Sequence, residues 1–132
     1  MTAADVARAL ETLPVVTGLS PLRRSDVTSL PGAPTDFVQG WVVRDRRQRC
    51  AQPGIECGAL VEAWGSAESA ARRSDEVRTL QLGTAGLGTE THLLAGPVLV
   101  RLDGAVTRRQ VASYRTALED AGVAVTDPEP LG

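Results

Sequence analysis

Three short apolar runs, at residues 37–44 (FVQGWVVR), 58–65 (GALVEAWG) and 97–102 (PVLVRL), constrain what this chain can fold into more than any other feature. In the first, alternation sets Phe37, Trp41 and Val43 on one side, the pattern of a strand with one buried face. Gly40 in its middle signals a bulge or a close backbone approach. The second run begins at Gly58 and the third follows Gly96, and each leads through a tight turn into a capped helix. Ser66 caps a helix at 67–80, and Thr107 with Gln110 forms a capping box for a helix at 108–121. Val111, Tyr114, Leu118 and Ala121 mark the buried side of that last helix, and Gly122 its stop. The helix at 67–80 carries only a narrow stripe, Ala67, Ala70, Ala71, Ser74 and Val77, so it must lie close to its sheet. Arg72, Arg73, Asp75 and Glu76 are expected to face water.

A further helix at 2–13 is read from Thr2 and Asp5 at its start and from Val6, Ala9, Leu10 and Leu13 at helical spacing; Pro14 ends it. Between it and the first run, a short strand is expected at 15–17 and a loop or edge strand near 26–30. Residues 82–91 read as a Gly/Thr connector, and 92–94 as an edge or hairpin piece. The chain has 132 residues, 42% of them hydrophobic, enough for one core and too few for two. These elements predict a single α+β domain over residues 1–126 with a flexible tail at 127–132. Its sheet is antiparallel or mixed, of three to five strands, with the helices on one face; a ferredoxin-like arrangement is one candidate topology.

Composition removes several chemistries. All fourteen basic residues are Arg, which reads first as a GC-rich coding bias. Without Lys there is no Walker-type phosphate loop, Schiff base or Ser–Lys dyad. With one histidine, His92, a two-His metal site within the chain is impossible. A net charge of −2 and few aromatic residues argue against nucleic acid as a partner. No stretch approaches the roughly 20 apolar residues of a membrane span. The first residues lack the basic start and apolar run of a signal peptide, so the expectation is a cytoplasmic chain or a mature fragment behind an added Met.

Cys50 and Cys57 are the only cysteines, and Pro53-Gly54 between them is a turn that can bring the sulfurs together. A structural disulfide is the leading reading, with free thiols or a redox pair as alternatives; it implies an oxidising compartment. The run 44–49, RDRRQR, is a solvated loop or a surface for phosphate, anionic lipid or an acidic partner. The glycine-rich stretch 83–88 lacks a Lys and a following helix end, so it reads as a connector. His92 reads as a surface or strand-edge residue, the alternative being a general base or pH switch. Glu62, inside an apolar strand, faces solvent or is half-buried against an Arg. Trp41 and Trp64 are sheet anchors, or partner anchors where exposed.

The order of features resembles that of small actinobacterial secreted proteins and lipoproteins of uncharacterised function. The resemblance rests on Val6 and Leu10, Val15 to Thr17, the Cys50/Cys57 pair, the helix at 67–80, the strand from Gly96 to Leu102, and Tyr114 with Leu118. It implies an extracytoplasmic location and brings no catalytic residues. With one His, no Lys and no catalytic motif, the reading is a non-catalytic protein-binding or assembly module without a cofactor. Its partner is another protein or a second copy, and Arg46, Arg47, Arg49, Trp41 and Trp64 are the candidate contact residues. A structural subunit of a larger particle, such as a phage virion, is the alternative, and a small enzyme the third.

Overall fold

The computed structural model describes residues 2–24, 27, 34–86 and 88–131. Helix α1 (Ala3–Glu11) is followed by strands β1 (Val16–Leu22), β2 (Phe37–Asp45) and β3 (Gly58–Trp64). Then come helix α2 (Ala67–Gly83), strands β4 (Glu90–Ala95) and β5 (Val98–Asp103), and helix α3 (Arg108–Asp120). The five strands form one antiparallel sheet in the order β1-β2-β3-β5-β4. The fold is α+β, as the sequence implies.

Local chemistry sets the element ends. Thr2 and Asp5 exchange hydrogen bonds at the start of α1, and Thr107 and Gln110 do so at the start of α3, so both expected capping boxes form. Ser66 accepts from the Ser69 amide at 3.0 Å to start α2. Gly122, at φ +84°, ends α3: its amide and that of Val123 bond back to the carbonyls of Glu119 and Leu118. Gly40 marks a close approach, since a Cβ there would sit 2.8 Å from the Val61 carbonyl and 2.9 Å from the Leu22 side chain.

β3 is buried at all seven positions, which is possible only when both faces of the sheet are covered. Its odd residues, Ala59, Val61 and Ala63, join Val43, Val98, Val100, Leu102, Leu93 and Ala95 beneath α1 and α3. Its even residues point the other way, where Trp64 and Leu99 meet Ala70 of α2. The helices are therefore divided, α1 and α3 on one face and α2 on the other, a correction to the expectation that all lie on one face. The ferredoxin-like candidate also falls, because β1, β2 and β3 follow one another as a meander and, among the described residues, α2 is the only α-helix between strands. The two strand–turn–helix units put their helices on opposite faces.

The loop or edge strand expected near 26–30 falls largely outside the described residues. Beyond α3 the chain runs back along β4, where Leu94 and Thr126 exchange backbone hydrogen bonds of 2.8 and 2.9 Å. Farther along, Asp127 pairs with Arg115, and the Glu129 carbonyl accepts from Arg78, so the segment expected as a loose tail has fixed contacts.

Candidate functional site

Two polar assemblies stand out. The first is built where β2 ends. Asp45 is buried, and its carboxylate accepts hydrogen bonds from the Arg47 amide, Nε and Nη2 at 2.7–2.9 Å and from the Tyr114 hydroxyl at 2.6 Å. Burial pushes this carboxyl up, but the donors from Arg47 and Tyr114 outweigh it and hold it below the usual aspartate range. The same contact, with burial as the larger cause, raises the Tyr114 phenol above its ordinary range. Arg47 is thereby committed to the fold.

Cys50 and Cys57 close the loop that follows, with sulfurs 2.12 Å apart and Cα atoms 4.9 Å apart. In the chain-entropy account a ring of about eight residues adds roughly 2.5 kcal/mol. Cys57 is buried with Leu22, Val42 and Leu60, and Arg44 Nη1 lies 3.8 Å from Cys50 Sγ. Arg46 and Arg49 are exposed between the end of β2 and this ring, and neither guanidinium has an ion-pair partner among the described residues.

The second assembly lies between α2 and the sheet. Glu62 is fully buried; one oxygen accepts from Arg73 Nε and Trp64 Nε1, both at 3.2 Å, and the other from Arg101 Nη1 at 2.8 Å. Arg101 also forks onto both oxygens of Glu90 at 2.8 Å. Glu90 takes further bonds from Gln81 Nε2 at 2.7 Å and His92 Nε2 at 2.9 Å, and His92 Nδ1 meets the Ser74 hydroxyl at 2.7 Å. Burial would raise the Glu90 carboxyl, but the bonds from Arg101 and His92 and the Arg101 charge bring it down to about 2. An ionised Glu90 has no proton to give, so His92 donates to it from Nε2, and Nδ1 shares the second hydrogen bond with the Ser74 hydroxyl.

Ser74, His92 and Glu90 thus form the residue series of a nucleophile, a base and an orienting acid. The geometry withholds its use. Ser74 is fully buried within α2 and His92 is only 3% exposed. A hollow of about 290 Å³ between α2 and the C-terminal segment reaches Glu90 and Gln81, and neither Ser74 nor His92 lines it. The series fastens α2 to the sheet. Among the described residues, no group of three or more His, Cys, Asp or Glu side chains is placed to hold a metal ion.

The expected site residues are thus dispersed. Trp64 is buried, packed edge-on against Phe37 at 5.5 Å with the Arg73 guanidinium 5.7 Å from its ring centre, so it anchors α2 rather than a partner. Trp41 is half-buried on the opposite face beside the core under α1. Arg73, expected in water, is buried by its bond to Glu62, and His92, expected at the surface, is internal. The sequence did carry a signal for this assembly: Glu62 and Arg101 each interrupt an otherwise apolar run. None of the family models, curated proteins or solved structures compared with the chain matches it. Among the described residues no helix is long and apolar enough to cross a membrane.

Proposed function

We propose that this chain is a non-catalytic protein-binding or assembly module working outside the cytoplasm, and that its loop 46–57 docks an acidic surface of a protein partner. The observation that carries this reading is the loop itself. A disulfide and the Asp45–Arg47–Tyr114 contact fix its base, and Arg46 and Arg49 project from it without counter-charges among the described residues. A fixed loop loses little freedom on binding, which favours affinity. Charged groups at the rim of an interface speed encounter and select a partner of opposite sign. The disulfide supports an oxidising compartment.

The test is co-purification from the extracytoplasmic fraction of the source cells with the intact chain and with R46E/R49E. A partner with an acidic surface, lost on substitution and released by salt, is the expected result. An identical set of retained proteins with both chains overturns the reading.

A further inference from the structure

The outward side of α3 has a symmetry that the fold does not use. A groove of about 560 Å³ runs between this side and the end of α1, where Thr12 and Leu13 form its other wall. From α3 it is lined by Arg109, Ala112, Ser113, Thr116, Ala117 and Asp120. Read in reverse, the same positions exchange Arg109 with Asp120, Ala112 with Ala117, and Ser113 with Thr116, all about a point between Tyr114 and Arg115. Arg109 and Asp120 are exposed, and neither side chain has an ion-pair or hydrogen-bond partner among the described residues.

We infer that this face binds a second copy of the chain, α3 against α3 in antiparallel order about a two-fold axis. A two-fold interface must be self-complementary, so that whatever residue i meets, its partner meets in turn. The reversed pattern meets that demand in its charges and hydroxyls: each Arg109 faces the Asp120 of the partner and serine faces threonine, while the alanine pair sets the exposed Ala112 against the buried Ala117. The two charge pairs stand eleven residues apart along each helix, roughly 16 Å at 1.5 Å per residue. Between them the short side chains let the helix axes approach to about 8 Å, the near limit of helix packing. The inference uses neither the loop 46–57 nor its partner.

Sedimentation velocity over a concentration series tests it. The intact chain is expected to move from its 13.9 kDa monomer toward twice that mass as concentration rises, and to retreat in high salt. R109D alone, or D120R alone, places like charges opposite each other and is expected to weaken self-association roughly tenfold or more. The double variant R109D/D120R restores opposite charges and should recover the dimer. Near-UV circular dichroism checks that all three keep the fold, as exposed positions without partners should. A chain that stays monomeric up to millimolar concentration overturns the inference. So does a dimer insensitive to the single reversals, or one that the double reversal fails to rescue.

Discussion

Val61 and Glu62 are neighbours on β3 and are equally buried, yet one lies under α1 and α3 among aliphatic side chains and the other under α2 between two guanidinium groups. The first face is held by area removed from water, about 25 cal/mol for each Å², a force with no preferred direction. The second is held by directed bonds: α2 buries Ser69, Ala70, Arg73, Ser74 and Val77, and three of these five make side-chain hydrogen bonds across the interface. An apolar face tolerates small repacking. A buried ionic array is costly to break at any one member, though replacing it whole with apolar groups is often neutral.

The largest expected effect follows from that asymmetry. Glu62→Gln leaves Arg73 and Arg101 short of a buried counter-charge and should cost about 3–5 kcal/mol, read from the midpoint of urea unfolding. Leu118→Ala on the other face should cost a similar 2–5 kcal/mol or so. The two losses should part when a second substitution is added. Glu62→Leu with Arg73→Met removes the pair together while Arg101 keeps Glu90, and should recover most of the stability. If the double variant is no better than Glu62→Gln, the contrast between the faces fails.

Acid separates the faces next. Glu90 is depressed to about 2 in the fold against an ordinary 4.5. Its contribution is therefore fully present above the unfolded value and is lost as pH falls from about 4.5 toward 2. At about 1.4 kcal/mol per unit this is on the order of 3 kcal/mol. Urea midpoints measured across that window should fall steeply for the intact chain and less steeply for Glu90→Gln; parallel curves would remove Glu90 from the account.

The smallest effect tests the polar exception on the apolar face. Tyr114→Phe deletes the donor to Asp45 and should cost about 1.5–3 kcal/mol, the hydrogen bond being one to a charged group. Tyr114 is the only tyrosine, so its ionisation can be followed by absorbance. Its raised phenol confers stability that is complete below the ordinary tyrosine pKa and is lost as pH rises beyond it. Phenolate should therefore appear only above the usual tyrosine range or together with alkaline unfolding. A normal titration in the folded chain would show that the Asp45 contact is not kept in solution.

How much of this was legible follows the same division. β3 was readable to within a residue, and both capping boxes were legible, because these signals are local. The assignment of α2 to its own face was not, since it depends on which side of β3 is already occupied. Reading α2 as a single amphipathic helix sent Arg73 to water. Its buried setting comes from Glu62, eleven residues back, and from Arg101 beyond another strand pair, contacts that no window along the chain contains. His92 was misplaced for the same reason: its partner Ser74 looked like one more small residue in a packing stripe. The Cys50–Cys57 pairing was legible because a turn lies between the two residues. The palindrome on α3 was also present in the letters, but only the fold tells which side of that helix stays open.

The hydrogen bonds between Leu94 and Thr126 have a consequence for how anything can be recognised. A β-sheet normally offers its border strands to incoming chains, because their outer amides and carbonyls wait for a new ladder. Here the returning segment occupies part of the β4 border, and the β1 border carries Pro21, which has no amide proton to offer. Growth of the sheet by strand addition, whether by a ligand peptide or by runaway stacking of copies, is obstructed at both margins. Recognition is left to loops and helix surfaces, where it is read by side chains.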